Sequence, residues 1–271
     1  MKLTDSQRTG WMICSLCFLC FLMQLSAEPM ESEEILLRKL KSSDAAIRRA
    51  AAEGLAQIEH KDLKKILPAL LIAIKDQEAD VRFYAAVTLT AAAYTDEQSA
   101  RTLNEAVPVL IKTLNDKDAR VREYVANALA LVMPESPAEA AEPLVKLLND
   151  KEKGAEKTVQ EAVLAALSRI KPATPEMISA VLKLLKEDKS VKGQAASALG
   201  DFGSSDPEVI SALVDAMKDS DRFVRQEAVC ALRKTGRPAR GAIPELKKIA
   251  DNPKEDQSMR DNAVAALRKI E

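Results

Sequence analysis

A short motif returns about every 35 residues along this chain. It is a branched or long apolar residue, usually followed by Arg, with small residues four and seven positions later and Leu eight positions later. The seven copies begin at Ile47, Val81, Val121, Val159, Val191, Val224 and Met259. A period of roughly 20 to 50 residues indicates stacked units that contact only their neighbours, and it argues against a single globular core. We number the units one to seven and call these first residues the anchors.

The composition agrees with stacked helices. Hydrophobic residues make up 47% of the 271 residues but aromatic residues only 3%, so Leu, Ile, Val and Ala must fill the interior. Gly and Pro are too sparse, at 8 and 12 residues, for the many turns of a sandwich or barrel. The net charge of −1 is close to balance, so we expect no nucleic-acid partner.

The first 27 residues have the layout of a secretory signal peptide. Lys2 and Arg8 precede an apolar run over residues 11–25, and small residues follow up to Ala27. A helix of that length spans roughly 22 Å, less than a bilayer core of about 30 Å. We expect cleavage after Ala27, no stable membrane span afterwards, and an exported protein, periplasmic or extracellular. The alternative is an uncleaved leader that remains as an anchor.

The segment 28–271 is predicted to be one continuous domain without disulfides. Three of the four cysteines, Cys14, Cys17 and Cys20, lie in the leader, which leaves only Cys230. An exported array of this kind must rest on packing alone.

Each anchor is predicted to begin a helix, which we call the B helix of its unit. Apolar residues at the anchor and four, eight and eleven positions later form one stripe, as in Val121, Val125, Leu129 and Val132. A second amphipathic stretch, the A helix, precedes each B helix. Asp206-Pro207 is one of the predicted starts, since a capping residue precedes Pro at the first helical position.

The repeats resemble the HEAT repeat family of armadillo-like α-solenoids over nearly all of residues 31–271. The most specific resemblance is an Asp five positions before an anchor and an Arg directly after it, as in Asp76 with Arg82, Asp116 with Arg122, and Asp219 with Arg225. The resemblance implies an all-α, right-handed solenoid of about seven HEAT-type helix pairs, with these side chains forming a hydrogen-bonded ladder between units. Units one, four and five lack the full pair, which predicts interruptions in the ladder.

Catalytic chemistry has little support in the sequence. His60 is the single histidine, which excludes a His-Glu-x-x-His zinc site and the repeated His-Glu pairs of the di-iron HEAT-like hydroxylases. The glycines are scattered and form no phosphate loop. We therefore predict no catalytic residue, no metal and no cofactor. Some HEAT-like proteins are phycobilin lyases, so an enzyme or enzyme subunit of that class is the alternative.

The predicted binding surface lies on the B helices of units two and three. Stacked helix pairs usually curve with the B helices on the concave side, where solvent-facing positions are expected to be polar. Units two and three instead carry aromatic and apolar residues beside polar ones, a combination typical of binding hot spots. The candidate residues are Phe83, Tyr84, Val87, Tyr94, Tyr124 and Asn127. The competing interpretation is that these rings complete the core between adjacent B helices.

The sequence therefore predicts a non-catalytic scaffold or adaptor of the cell envelope, which binds a protein or peptide on its concave face. A basic cluster in the last two units is expected to be a solvated turn, with an acidic partner as the alternative: Arg233, Lys234, Arg237, Arg240, Lys247 and Lys248. Cys230 is predicted to be exposed. Glu271 follows the last apolar stripe directly, which leaves self-association through an uncapped end as a further possibility.

Overall fold

The computed structural model describes residues 31–58, 63–95, 97–132, 138–148, 157–187 and 190–271. The leader and His60 lie outside the described residues. All regular secondary structure in these ranges is helical, which confirms the all-α prediction. No described helix is both long and apolar enough to cross a membrane.

The helices follow one another in the order that the repeats predict. They are α1 (Glu33–Lys39), α2 (Ala45–Gln57), α3 (Leu63–Ala73), α4 (Ala79–Thr95), α5 (Glu97–Leu103), α6 (Val107–Thr113), α7 (Ala119–Val132), α8 (Ala141–Leu148), α9 (Lys157–Arg169), α10 (Pro175–Glu187), α11 (Lys192–Phe202), α12 (Pro207–Ala216), α13 (Arg222–Thr235), α14 (Ile243–Ala250) and α15 (Gln257–Ile270). Short 3-10 turns precede α6, α8 and α14.

The helices form two layers. The B helices are α2, α4, α7, α9, α11, α13 and α15, and each packs on the B helix of the next unit. The remaining helices form the A layer, in which neighbouring units contact each other less extensively. Closer packing in the B layer is the arrangement expected of the inner layer of a curved stack.

The anchors and the leucines eight positions later form the core. Val81 and Val121 are fully buried, as are Leu89 and Leu129. Ile47, the first anchor, is 41% exposed, because no preceding B helix covers it in the described part of the chain. The period therefore identifies the core positions, and the exception lies at the edge of the stack.

Small residues seven positions after the anchors allow B helices to approach closely. Ala128, Ala166 and Ala198 are buried between helices. Helices α11 and α13 lie so close together that a Cβ atom added to Gly200 would be 2.5 Å from the Cα atom of Ala231. Such a contact cannot exist between folded helices, so only glycine fits at position 200 without displacing α13.

The predicted start of helix α12 is confirmed. The Asp206 side chain accepts a hydrogen bond from the Glu208 amide at 2.8 Å, and Pro207 occupies the first helical position. Gly203, with φ of 65°, ends α11 in the left-handed conformation that favours glycine. These two caps bound the turn between the B helix α11 and the A helix α12 of the next unit.

Unit three contains a helix that the repeat did not predict. Helix α5 lies between α4 and α6, and it explains why the anchors of units two and three are farther apart than most.

Among the described residues, the large apolar side chains that remain exposed are Ile35, Ile47, Ile72, Tyr94 and Phe223. None of them belongs to unit seven.

Candidate functional site

Three of the predicted site residues form one aromatic cluster on the B layer. The Phe83 ring lies 5.0 Å from the Tyr84 ring, centroid to centroid, at an interplanar angle of 56°. It lies 5.4 Å from the Tyr124 ring at 88°, an edge-to-face contact between α4 and α7. All three rings are half-buried and pack against the core. The rings therefore complete the core on one side and reach solvent on the other.

A guanidinium group lies on the face of this cluster. The Arg120 Cζ atom is 4.8 Å from the centroid of the Phe83 ring, which is a cation–π distance. Arg120 also donates to Asp118 at 2.7 Å and to Asp80 at 2.9 Å. The hydrogen bond from Arg120 outweighs burial and holds the pKa of Asp118 below its ordinary value. The cluster thus already binds one arginine side chain of the protein itself.

The hydroxyl groups of Tyr84 and Tyr124 have different surroundings, but the pKa of each is raised. Burial raises the pKa of the Tyr84 hydroxyl, and so do the negative charge of Glu53 and the hydrogen bond that the hydroxyl donates to it. Burial also raises the pKa of Tyr124. Both hydroxyls therefore stay protonated at neutral pH and act as neutral donors.

The other predicted site residues do not join this cluster. Val87 is only 6% exposed, so the prediction that it lies on the binding surface is wrong. The reason is the close approach of α4 to α7, where the buried Thr90 hydroxyl reaches the Tyr124 carbonyl oxygen at 2.9 Å. Tyr94 is 42% exposed, but it lies eleven residues beyond Phe83, roughly 16 Å along α4. Asn127 is half-buried on α7, one helical turn after Tyr124.

A row of carboxylates held by neutral donors runs along the B layer, and sequence reasoning missed it. The Thr158 hydroxyl donates to Glu123 at 3.0 Å, and the Gln194 amide donates to Glu161 at 2.6 Å. Donor and acceptor are about one repeat apart in each case, which is the signal that could have revealed these pairs.

The Asp/Arg ladder is present and joins neighbouring units. Arg82 donates to both Asp116 oxygens, at 2.7 and 2.9 Å, while its other terminal nitrogen donates to the backbone carbonyls of Asp76 and Gln77. The cation of one unit therefore binds the carboxylate of the next unit and the turn of its own. This confirms that the arginines after the anchors are structural.

The ladder is more complete than the sequence predicts. Arg48 of unit one binds Asp76 at 2.7 and 3.0 Å, and Lys192 of unit five binds Asp219 at 2.8 Å. The predicted interruptions at these units are wrong, because a rung needs only a cation in one unit and a carboxylate in the next. Burial alone would raise the pKa of Asp76, but hydrogen bonds from Arg48 and the Glu78 amide hold it below its ordinary value.

Sequence comparison identifies the repeats. A sequence profile described as HEAT repeats matches residues 67–167, 107–190 and 178–268. The chain belongs to the HEAT repeat family. Among curated proteins, none matches the sequence.

Solved structures share the HEAT-repeat architecture. An engineered protein is 26% identical, with a TM-score of 0.64 over 88% of this chain and 68% of that one. A computationally designed armadillo repeat protein for modular peptide recognition is 20% identical, with a TM-score of 0.52 over 89% and 100%. The complex of CpcE and CpcF of phycocyanin lyase from Nostoc sp. is 23% identical, with a TM-score of 0.53 over 92% and 98%. The last two likenesses concern the fold alone.

Two open grooves lie away from the aromatic cluster. One, of about 690 Å³, lies beside the turns of units one and two and includes Leu40 and Ile72. The other, of about 440 Å³, lies between α10 and α12 and includes Ile178 and Glu208. Among the described residues, no group of three His, Cys, Asp or Glu side chains is placed to hold a metal ion.

The basic cluster of units six and seven is partly engaged in ion pairs. Lys234 binds Asp201 at 2.5 Å, and Lys248 binds Glu245 at 3.0 Å. These contacts agree with the expected solvated turn. Cys230 is half-buried, so it is less accessible than predicted.

Proposed function

We propose that this HEAT-repeat chain is a non-catalytic scaffold that binds a protein or peptide on its B layer. The observation that carries the proposal is the cluster of Phe83, Tyr84 and Tyr124, which spans two units and is exposed on one side. Aromatic side chains surrounded by polar groups are the residues that most often dominate binding free energy.

The ladder supports this proposal because it fixes the surface before a partner arrives. Rungs between Arg48 and Asp76, and between Arg82 and Asp116, hold the first three B helices at set distances from each other. The three rings also rest on the core, which limits their rotation. A rigid surface loses less conformational entropy on binding, so more of the contact free energy is available for affinity.

We place the scaffold in the cell envelope, as a proposal that rests on the sequence of residues 1–27. The charged start, apolar middle and small residues at Ala27 support export. Mass spectrometry of the protein recovered from the envelope checks it: a mature chain that begins at Glu28 supports export with cleavage. A chain that remains intact in the cytoplasm would contradict it.

The binding proposal is tested by the double variant Phe83→Ala/Tyr124→Ala. Immobilised wild-type protein should capture a partner from envelope extract, and the double variant should lose that partner. Tyr94→Ala is the matched control, because it removes an aromatic ring from the far end of α4. Phe83→Leu/Tyr124→Leu retains apolar volume and guards against loss of folding. Capture that persists with a folded double variant means that the cluster is core only.

The alternative function is an enzyme or enzyme subunit of the phycobilin lyase class. The fold of the phycocyanin lyase complex is compatible with it, although at 23% identity the likeness carries no chemistry. Co-expression with a bilin-producing system and a phycobiliprotein subunit separates the two functions. Covalently bound, coloured chromophore on that subunit, formed only with this chain present, would favour the lyase and count against a plain scaffold.

Self-association remains a second proposal about partners. Light scattering over a concentration series measures it, because end-to-end contacts raise the mean mass with concentration. A mass equal to one chain at every concentration would contradict it.

A further inference from the structure

We propose that two copies of this chain associate through the edges of their first units and form a symmetric dimer. The inference rests on the self-association proposed above, and it adds a surface and a limit of two chains. The surface is the side of α1 and α2 that faces away from unit two, which we call the unit-one edge. Partner binding at the aromatic cluster is a separate matter.

The two ends of the stack differ in exposed apolar surface. In unit one, Ile35 is 36% exposed and Ile47 is 41% exposed. In unit seven, Met259 and Ile270 are buried, and no large apolar side chain among the described residues of that unit is exposed. Because burial of apolar surface drives association, the first unit and not the last offers the contact.

The later units show which side of α2 belongs to the edge. The positions one before and three after an anchor face the preceding unit: Thr158, at the first position, and Gln194, at the second, each donate to a glutamate of that unit. In unit one these positions are Ala46 and Ala50, and both are exposed. Their small side chains allow a helix of a second copy to approach closely, since the distance between packed helices depends on the side chains at the contact.

Ion pairs identify the corresponding side of α1. The Lys65 ammonium of unit two lies 3.7 and 3.5 Å from the carboxylates of Glu33 and Glu34, so these two residues mark the side that faces unit two. At 100° per residue, Ile35 lies about 150° around the helix from the midpoint of that pair. Ile35 therefore lies on the opposite side, at the unit-one edge.

Two opposite charges flank Ile35 at equal spacing. Glu31 is four residues before it and Lys39 four residues after it. The two charged side chains form an ion pair, which shows that they lie on one side of the helix, and they are 41% and 42% exposed. A symmetric contact repeats every interaction in reverse. A two-fold axis at Ile35 therefore sets Glu31 of one copy opposite Lys39 of the other, twice, while the two Ile35 side chains meet at the axis.

This charge pattern favours a second copy as the occupant of the edge. The pattern is complementary to itself, so a symmetric contact satisfies both charges and closes at two chains, whereas a head-to-tail contact would build a filament. Helices of 7 and 13 residues are roughly 10 and 20 Å long, and at about 10 Å in width they offer roughly 300 Å². Because stable interfaces cover about 800 Å² per partner, we expect a weak dimer with a dissociation constant of roughly 10–100 µM.

Light scattering of the chain recovered from the envelope, over about 1 to 500 µM, tests the inference. The mean mass should rise from one chain to two and no further. Ile35→Asp places two like charges at the axis and should hold the mass at one chain, with circular dichroism confirming that the variant is folded. Arg268→Glu, a matched change at an exposed position of unit seven, should leave the rise unchanged.

Charge reversal separates the contact between copies from the ion pair within one chain. Glu31→Lys gives an edge with two positive charges and Lys39→Glu an edge with two negative charges. Each variant alone should need at least about tenfold higher concentration to dimerise. An equal mixture of the two should dimerise like wild type, because each contact then joins opposite charges. Neither variant regains its internal ion pair in the mixture, so only a contact between copies explains the recovery.

Several results would overturn the inference. They are a mass of one chain at every concentration, a mass above two chains, a rise that Ile35→Asp leaves unchanged, or no recovery in the mixture. A rise that is lost with Arg268→Glu alone would leave self-association standing but move it to unit seven. A single-chain mass for a chain that retains residues 1–27 would assign the edge to the leader.

The dimer and the scaffold function fail independently. Ile35→Asp should still capture the partner from extract, and folded Phe83→Ala/Tyr124→Ala should still dimerise. Loss of capture with Ile35→Asp would show that the edge is part of the partner surface, which would overturn the dimer as its occupant.

Discussion

Replacing Arg82 tests how much the ladder stabilises the contact between neighbouring units. It makes four hydrogen bonds, two to the Asp116 carboxylate and two to backbone carbonyls of its own turn. The Arg82 and Asp116 side chains are only 14% and 10% exposed. Removing one member of a fully buried pair costs about 3–5 kcal/mol, whereas an exposed pair contributes about 0–1 kcal/mol. Arg82→Met, which keeps the aliphatic stem, should cost about 2 kcal/mol, between these limits.

The matched control is Arg120→Met, because Arg120 also binds two aspartates but is 50% exposed. We expect it to cost no more than about 1 kcal/mol. Urea unfolding followed by circular dichroism measures the effect of both variants. We compare the urea midpoints and not the extrapolated free energies of unfolding, because repeat arrays can unfold in stages. Adding Asp116→Asn to Arg82→Met should recover part of the loss, since the unpaired charge is then removed. Equal midpoints for the two single variants would refute the structural role of the ladder.

Three further predictions concern packing and pH. Gly200→Ala should destabilise the fold by about 1–3 kcal/mol, seen as a lower melting temperature, because its new methyl group meets the backbone of Ala231; an unchanged melting temperature would contradict the close approach. Thr90→Val keeps the side-chain volume but removes the hydroxyl that donates to the Tyr124 carbonyl oxygen. It should lower the free energy of unfolding in urea by about 1 kcal/mol; a more stable variant would be evidence against that bond. Burial would raise the pKa of Asp76, but the hydrogen bond from Arg48 lowers it below the unfolded-state value of about 3.9. The ionised carboxylate therefore stabilises the folded state above the unfolded-state pKa. This stabilisation is lost as the pH falls through the folded-state pKa. The urea midpoint of Asp76→Asn should therefore differ from that of wild type at pH 7 and approach it as the pH falls through the folded-state pKa of Asp76; a constant difference would exclude this linkage.

The sequence repeat alone predicts most of the fold. Anchors such as Val81 and Val121 are buried because each faces both its A helix and the neighbouring unit. Ile47 departs from the rule because burial of an anchor depends on a neighbour that the first unit lacks in the described ranges. The longer spacing between the anchors of units two and three indicates inserted residues, but it does not show that they form a helix, so α5 could not be predicted.

The candidate site was predicted in part. Phe83, Tyr84 and Tyr124 lie together because a period places equivalent positions of α4 and α7 side by side. Val87 was misplaced because helical periodicity gives the direction of a side chain but not the distance to the next helix. The bonds from Thr158 to Glu123 and from Gln194 to Glu161 depend on that distance as well, so the repeat spacing suggests the pairs but only the structure shows the bonds.

Site-specific photocrosslinking measures the position of the partner most directly. A photoreactive phenylalanine analogue at position 84 would lie beside the aromatic cluster on the B layer, whereas the same residue in place of Ile72, which is 72% exposed, would lie on the A layer. Irradiation in envelope extract should give a crosslinked partner from position 84 and none from position 72. A partner crosslinked from position 72 alone would show that the protein binds through its outer helices, which would contradict a binding surface on the B layer.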